Sequence, residues 1–188
     1  MEPVKKTLED QHILQQFRQQ EHRHEAFTGL VEKYQQGVYR LVRRMVIDHE
    51  DADDLVQEVF IKVYNNLDNF QGESRLFTWL YRIATNECLR FLDKKRKRYF
   101  LPIADVMSEL TYKLHSSHSM DGDEIQLKLQ QAVLTLPDKQ RAVFHMKYYE
   151  DMKYETIAEI TGTSVGSLKA SYHHAVKKIE EILTKAEY

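Results

Sequence analysis

A basic segment that also carries aromatic side chains occupies residues 75–98. Eight Lys or Arg residues and two acids give it a formal charge of +6, so the rest of a chain whose net charge is −2 sums to −8. Cations beside Phe77, Trp79 and Tyr81 are typical of a surface that binds a phosphate backbone and stacks on bases. A basic run at a helix end also interacts favourably with the helix dipole. Charge alone therefore leaves a solvated helix end as an equal alternative.

Residues 48–58 have the opposite character, with six acids and no Lys or Arg. Helical spacing places Asp51, Asp54 and Glu58 on one face beside Gln57, and Asp48 is predicted to cap the helix. Such a face repels DNA phosphates and suits either solvent or a basic protein surface. Taken alone, the pattern favours a solvated face, because acids in a first helical turn also gain from the helix dipole.

A helix-turn-helix pattern lies near the C-terminus. A short helix at 154–160 precedes Gly162, which allows a sharp turn, and Ser164, which is predicted to cap a second helix. That second helix has one apolar stripe, and no acid occurs between Val165 and Ile179. The pattern predicts a helix that enters the major groove of DNA, with a plain helical hairpin as the alternative.

The elements that position these surfaces are predicted to be helices throughout. Apolar residues recur every three or four positions, and six glycines and three prolines are too few for a turn-rich β protein. We therefore expect an all-α fold of two small helical domains, at 1–98 and 124–188. The linker between them, at 99–123, is rich in residues that interrupt the helical period. Ser74 is predicted to cap the helix of the basic segment.

Several classes of protein do not fit the sequence. The single cysteine, Cys88, rules out a disulfide within the chain and fits a reducing cytosol. No apolar run approaches the roughly 18 residues of a membrane span, and a signal-peptide core is lacking, so we expect a cytoplasmic protein without membrane insertion.

Catalytic and metal-binding motifs are also lacking. Three histidine pairs, His22/His24, His115/His118 and His173/His174, do not have the spacing of a metal site. The sequence has neither a nucleophile elbow nor a phosphate-binding glycine loop. We therefore expect no enzymatic activity, no metal and no cofactor.

Three segments, in this order, resemble the extracytoplasmic-function (ECF) group of bacterial RNA polymerase sigma factors. They are residues 53–60 (DDLVQEVF), 77–86 (FTWLYRIATN) and 136–144 (LPDKQRAVF), the last leading into the helix-turn-helix. The resemblance covers residues 24–185. A stand-alone helix-turn-helix regulator is the alternative, but it leaves the first two segments without a role.

The resemblance implies partners and a division of labour. The acidic helix would dock on the clamp helices of core RNA polymerase, and the C-terminal domain would lie at the polymerase flap and read the −35 promoter element. The loop from residue 68 to residue 74 and the basic helix would engage and open the −10 element. An anti-sigma factor is a further partner that the resemblance implies, and the linker would pass near the polymerase active centre.

The residues that would carry these roles fall into three sets. The polymerase-binding set is Asp51, Asp54, Leu55, Gln57 and Glu58. The −10 set places Phe70, Trp79 and Asn86 at bases, Ser74 in the loop, and Arg82, Arg90, Lys94, Lys95, Arg96, Lys97 and Arg98 at phosphates. The −35 set is Ser167, Lys169, Ser171, His173, His174 and Lys177.

Opening DNA requires bases to leave the stack, which costs a few kcal/mol. Stacking on aromatic side chains can offset this cost by about 1–3 kcal/mol per base. Phe70 and Trp79 are the aromatic candidates for this role. For Trp79, packing in the protein core is an equally good interpretation.

The predicted −35 helix departs from the family pattern. Residues 165–176 (VGSLKASYHHAV) contain no arginine, so the bidentate readout of guanine is lost. Lys169 remains as a point charge, and His173 and His174 are mostly neutral at pH 7. We hypothesise weaker phosphate attraction by this helix and more dependence on the polymerase for tethering.

Overall fold

The computed structural model describes residues 2–99 and 124–185, and all regular structure within them is helical. The N-terminal part contains α1 (Glu2–Phe17), α2 (Arg23–Val46), α3 (His49–Asn66) and α4 (Leu76–Tyr99), with a 3₁₀ turn at Leu67–Asn69 after α3. The C-terminal part contains α5 (Glu124–Leu134), α6 (Asp138–Phe144), a π-helical turn at His145–Tyr149, α7 (Tyr154–Thr161) and α8 (Val165–Lys185). The prediction of an all-α fold is confirmed, while the predicted linker beyond Tyr99 lies outside the described residues.

The predicted helix caps have different outcomes. Asp48 caps α3, because its carboxylate accepts a hydrogen bond of 3.0 Å from the main-chain N–H of Asp51. The prediction for Ser74 is wrong, because α4 starts one residue later than that cap requires. The first main-chain bond runs from Trp79 N–H to Arg75 O at 3.0 Å, so Arg75 occupies the capping position.

The helix-turn-helix is present as predicted. Gly162 ends α7 in the left-handed conformation, with φ of 66°, and its N–H donates to Ala158 O at 2.8 Å. A residue with a side chain would be strained there, so glycine sets the sharp turn. Ser164 then caps α8, because its hydroxyl accepts from the N–H of Ser167 at 3.3 Å.

The two parts of the chain share one hydrophobic core. Apolar residues of α2, α3 and α4 form a continuous buried cluster with residues from α6, α7 and the segments around them, namely Ala142, Val143, Met146, Met152, Ile157, Ile160 and Leu168. A second, smaller cluster joins α5, α6 and α8. The regions that the sequence separates into two domains are therefore packed against each other, with α7 against α4.

A buried arginine lies where the two parts meet. The side chain of Arg141 is 1% exposed, and its guanidinium donates to Met45 O of α2 at 3.3 Å and to Asp138 at 3.1 Å. Burial lowers the pKa of Arg141. A buried charge is tolerated only when it has partners, so these contacts make the interface geometrically specific.

Ion pairs surround this junction. Glu150 accepts from Arg44 at 3.0 Å and lies 3.6 Å from Arg40, and both of these arginines belong to α2. Arg96 of α4 pairs with Asp138 of α6. Contacts from α2 and from α4 thus fix the C-terminal part.

Candidate nucleic-acid and protein interfaces

The acidic face of α3 combines exposed and buried positions. Asp54, Gln57 and Glu58 are exposed. Leu55 is only 3% exposed, so its assignment to a contact surface is corrected: it packs in the core and fixes the helix that carries the acids. Asp51 is half-buried and accepts a hydrogen bond of 3.0 Å from Lys95. The free acidic surface is therefore smaller than the sequence predicted.

An apolar groove continues this face by one helical turn. Ile61 is 60% exposed and leaves an apolar side chain beside the acids. The groove has a volume of about 360 Å³ and is lined by Phe27, Gln57, Phe60, Ile61, Tyr64 and Asn65. Since Gln57 belongs to both surfaces, the acids and the groove form one continuous patch.

Four predicted −10 residues lie along one side of α4. Trp79, Arg82, Asn86 and Arg90 are spaced by three or four residues, which places them on successive turns. Arg82, Asn86 and Arg90 are exposed, whereas Trp79 is half-buried with its ring centroid 5.1 Å from that of Phe70. The exposed members form a polar stripe that is long enough to follow a nucleic-acid strand.

The loop before α4 contains the other predicted base contacts. Phe70 is 7% exposed, so it would have to leave its packing against Trp79 to reach a base. Ser74 is half-buried. Gly72 adopts φ of 77°, a conformation that glycine reaches without strain. Phe70 therefore anchors the loop on α4, while residues 71–73 are exposed to solvent.

Intramolecular ion pairs engage much of the basic block. Lys95 pairs with Asp51, Arg96 with Asp138, and Lys97 with Asp93 at 2.8 Å. Lys94 is exposed, and the side chain of Arg98 lies outside the part of the chain whose side chains are described. The sequence assigned this block to phosphates, but in the fold acids compete with phosphates for Lys95, Arg96 and Lys97.

Arg90 is engaged as well. It lies 2.9 Å from Glu87, which is 7% exposed and which also pairs with Lys62 of α3. Glu87 thus links α3 to α4 beneath the polar stripe. From the sequence, Glu87 was counted only as one of two acids that reduce the charge of the basic segment.

The side chain of Arg82 lies in the contact between α4 and α7. Its Nε and Nη2 donate to the main-chain oxygen of Glu159 at 3.1 Å and 2.6 Å. Glu159 is in the first helix of the helix-turn-helix. One of the predicted phosphate contacts of the −10 set is therefore engaged with the other DNA-binding element.

The outer face of α8 is as accessible as the sequence predicted. The exposed members of the −35 set are Ser167, Lys169, His173, His174 and Lys177. Ser171 is half-buried, and its main-chain oxygen accepts from Gln140 at 3.0 Å. This face carries isolated lysines and no arginine, so it can attract phosphates but cannot make forked contacts to guanine.

Sequence reasoning missed the arginines that join distant elements. Arg18 and Arg23 contact the segment after α3, and Arg141 joins α2 to α6. Arg141 lies in the motif at 136–144, but no sequence pattern indicates the contacts of the three arginines, because these partners lie 41 to 96 residues away and two of them are main-chain oxygens. The spacing of apolar residues predicts which face of a helix is buried but not which polar groups meet.

Two expected absences can be examined only over the described residues. None of the described helices is long and apolar enough to cross a membrane. Among the same residues, no group of three or more metal-binding side chains gathers. The pair His115/His118 lies outside the described part of the chain.

An acidic helix, a helix with basic and aromatic side chains, and a helix-turn-helix are the arrangement expected of a DNA-binding protein with a protein partner. Residues 30–98 match the family described as Sigma-70 region 2, and residues 126–179 match Sigma-70, region 4. Together the two matches cover more than half of the chain.

Curated relatives give the same result. The chain is 33% identical over 168 residues to the ECF RNA polymerase sigma factor SigW of Bacillus subtilis, covering 85% of this chain and 89% of that protein. It is 32% identical over 185 residues to the RNA polymerase sigma-H factor of Pseudomonas aeruginosa, covering 93% and 94%. The chain belongs to the family of ECF sigma factors.

Solved structures share the fold. A structure of CnrH in complex with the cytosolic domain of CnrY has a TM-score of 0.66 at 21% identity, covering 94% of this chain and 98% of that one. The sigma factor RpoE of Bartonella quintana, in complex with the anti-sigma factor NepR, has a TM-score of 0.62 at 22% identity, covering 84% and 96%.

The function follows from the family. The protein is a sigma factor: it binds core RNA polymerase, directs it to specific promoters and helps to open the −10 region. It is not an enzyme. The alternative of a stand-alone regulator has no support, because such a protein would not need a region 2.

Proposed function

We propose that three surfaces of this sigma factor divide its work. The acidic face of α3 docks on the polymerase, the polar stripe of α4 and the loop before it recognise and open the −10 element, and α8 reads the −35 element. The observation that carries the proposal is the segregation of charge on adjacent helices, with exposed acids on α3 and exposed Arg82, Asn86 and Arg90 on α4. Phosphates are repelled by the first surface and attracted by the second.

The docking surface consists of Asp54, Gln57 and Glu58 and the apolar groove beside Ile61. Buried Leu55 and the Asp48 cap hold the helix in place under these side chains. Charged groups on such a rim give specificity and speed of association, while an apolar groove supplies area to bury. A basic helical partner surface fits both parts.

The strand-opening surface uses Asn86 to contact a base edge, Trp79 to stack, and Arg82 and Arg90 to hold the backbone. Lys94 extends the cationic path, with Lys95, Arg96 and Lys97 joining it when a phosphate displaces their acids. The acids that engage these cations in the free protein weaken nonspecific DNA binding, since a phosphate must displace a carboxylate.

Recognition of the −35 element rests on Ser167, Lys169, Ser171, His173, His174 and Lys177. Because this helix lacks arginine, it contributes modest affinity for the −35 element. Tethering to the polymerase supplies the remaining promoter affinity. Linking two weak binding events through one complex raises the effective concentration of the second.

Transcription with purified core polymerase and genomic DNA tests the function directly. Start sites that depend on the protein are expected, and their absence would contradict the proposal. The docking surface is tested by the double reversal Asp54→Lys, Glu58→Lys, which should reduce core binding by at least tenfold. The matched control is Glu180→Lys, Glu181→Lys, which makes the same change in charge at exposed positions outside all three surfaces. Equal loss in both variants would indicate a general charge effect.

Opening of the −10 region is tested with a fluorescent base analogue in the duplex. Asn86→Ala should slow opening of duplex promoters with core binding unchanged. A promoter supplied as a preformed bubble should restore part of the activity, because the cost of unstacking has then been removed. Normal opening by the variant would remove Asn86 from the base-contact set.

Three further points belong to this proposal. The domains are residues 1–98 and 124–188 with a linker at 99–123, and the location is the cytoplasm, where sigma factors of this family normally act. An anti-sigma factor is a partner, as it is for RpoE in the complex with NepR. Co-purification with an inhibitor that competes with core polymerase would support this partner.

A further inference from the structure

We propose that Arg18 and Arg23, at the corner between α1 and α2, position the promoter loop, defined as residues 67–74. The proposal rests on the role proposed above for this loop in −10 recognition. It assigns a function to two residues that precede the region 2 match, which begins at residue 30. Their contacts converge on the loop from outside the matched region.

Arg23 holds the start of the loop through a forked ion pair. Its Nη1 and Nη2 donate to the two carboxylate oxygens of Asp68 at 3.0 Å and 2.6 Å. The hydrogen bonds that Arg23 donates to Asp68 raise the pKa of Arg23 and lower the pKa of Asp68. A bidentate contact fixes orientation as well as distance, so it restrains the 3₁₀ turn that contains Asp68.

Arg23 is itself held by aromatic rings. Its guanidinium carbon lies 4.0 Å from the ring centroid of Phe17, at the end of α1, and its Nε donates to the hydroxyl of Tyr64 at 3.2 Å. Phe17 is fully buried and packs against Phe27 and Tyr64 at centroid distances of 6.2 Å and 5.4 Å. The aromatic cluster therefore joins α1, α2 and α3 into a base on which the arginine side chain is oriented.

Arg18 holds the other end of the same turn. Its Nη2 donates to the main-chain oxygen of Phe70 at 3.3 Å. The ring of Phe70 packs on Trp79 of α4. Arg18 thus holds the main chain at Phe70, next to Trp79, which is proposed to stack on the −10 strand. It does so without contacting a side chain of the loop.

These contacts restrain a loop whose middle is exposed. Leu67 and Phe70 are buried, whereas residues 71–73 are exposed and include Gly72 with φ of 77°. The 3₁₀ turn ends with the main-chain bond from Phe70 N–H to Leu67 O at 3.2 Å. A loop that samples more conformations binds more weakly in proportion to the fraction that remains competent. Removing the two arginines should lower that fraction without removing a DNA contact.

The chain offers a matched control. Lys33 of α2 pairs with Glu9 and Asp10 of α1, with Asp10 at 2.8 Å and Glu9 at 3.0 Å. This pair also ties α1 to α2, but it does not touch the promoter loop. Lys33→Gln therefore weakens the docking of α1 while leaving the loop restraints in place.

The test uses the full chain bound to core polymerase. The variants are Arg18→Gln, Arg23→Gln, the double variant, and Lys33→Gln. For each, three quantities are measured: the affinity for core, the affinity for single-stranded −10 oligonucleotides with matched and scrambled sequence, and the rate of opening of a duplex promoter. The melting temperature of each free protein reports on folding.

We expect the double variant to bind the matched −10 strand about fivefold more weakly, as the competent fraction of the loop falls. Scrambled strands should bind as before, because phosphate contacts are untouched, so discrimination should fall by the same factor. Core affinity should match that of Lys33→Gln. The exchanged pair Arg23→Asp with Asp68→Arg, made with Arg18 intact, should recover part of the discrimination that Arg23→Gln loses.

Unchanged discrimination in the double variant would overturn the proposal, and so would an equal loss in Lys33→Gln. If the double variant lowers core affinity or melts well below Lys33→Gln, the test rests on the single variants, since each removes one of the two restraints. Each single variant should then discriminate matched from scrambled strands less well than wild type, and unchanged discrimination in both would overturn the proposal. If wild-type protein itself fails to discriminate the −10 strand, the proposed function of the loop fails instead. The two failures are therefore distinguishable.

Discussion

The guanidinium of Arg82 binds the main-chain oxygen of Glu159 through both Nε and Nη2, at 3.1 Å and 2.6 Å, across 77 residues of sequence. The first residue lies in the stripe assigned to the −10 strand, and the second lies in the helix-turn-helix. This main-chain oxygen uses two of the five N–H donors of the guanidinium, so a phosphate at Arg82 would compete with α7 for the side chain. Promoter binding through Arg82 is therefore expected to weaken the contact between α4 and α7.

The first prediction is that the two parts of the chain separate on the polymerase. Spin labels at Gln35→Cys and Glu181→Cys, both at exposed positions outside the proposed binding surfaces, should give a longer distance in the complex with core and promoter than in the free protein. The native Cys88 is buried, and burial raises the pKa of its thiol to about 12, so it should resist labelling. Identical distance distributions in the free and bound protein would contradict the prediction.

The second prediction concerns the buried Arg141. Arg141→Met should lower the free energy of unfolding by about 3 kcal/mol, because Met45 O and Leu134 O lose a donor and Asp138 loses a partner. For a chain of this size the melting temperature should fall by about 10 °C. Lys97→Met, at an exposed position, is the control and should change the unfolding free energy by less than about 1 kcal/mol. Similar losses in both variants would argue against a special role for the buried charge.

The third prediction is a pH dependence that originates at His145. Burial lowers the pKa of His145 to about 3, with repulsion from Arg141 and Arg44 in the same direction. Below pH about 6.5 the unfolded chain binds a proton that the folded chain excludes, so stability falls as the pH falls through this range. Between pH 7 and pH 5.5 this should cost about 1.3 kcal/mol.

His145→Gln provides the test, because it removes the titrating group. The variant should show a smaller loss of unfolding free energy than wild type between pH 7 and pH 5.5, whatever its stability at pH 7. Glu150, which pairs with Arg44, and Tyr149, whose ring lies 5.5 Å from His145, are unchanged in this comparison. Parallel pH profiles for the two proteins would show that His145 does not control the effect.

The fourth prediction addresses the helix that lacks arginine. Lys169→Ala should weaken binding of the polymerase complex to promoter DNA almost uniformly across −35 sequences. It should also reduce the slope of log K against log salt by about 1, as expected for one lost phosphate contact. Lys178→Ala is the control, because its Nζ already donates to Thr135 O at 2.7 Å. A loss confined to particular −35 bases would indicate direct readout by Lys169 instead.

The helices and their caps were largely predictable from the sequence. Asp48, Gly162 and Ser164 act as their residue types predict, because caps and turns depend on neighbours within a few residues. Ser74 is the exception, since α4 begins one residue later. Local chemistry limits where a helix starts but does not set its first residue uniquely.

The position of each candidate residue on its helix was predictable from the sequence, but its burial was not. The stripe containing Arg82, Asn86 and Arg90 is exposed along α4, as its spacing indicated. Leu55 and Phe70, in contrast, are buried at 3% and 7% exposure. Helical period places a residue on a face, whereas burial depends on which other element covers that face.

The sequence by itself determined the all-α class, the order of an acidic helix, a basic helix and a helix-turn-helix, and the family to which that order belongs. These properties rest on periodicity and motif spacing, which are local. Only the tertiary structure decided that Lys95 pairs with Asp51, that Arg82 is held by Glu159, and that Arg23 reaches the loop through Asp68. Each contact joins residues more than 40 positions apart, and such pairs meet only when the helices around them have packed.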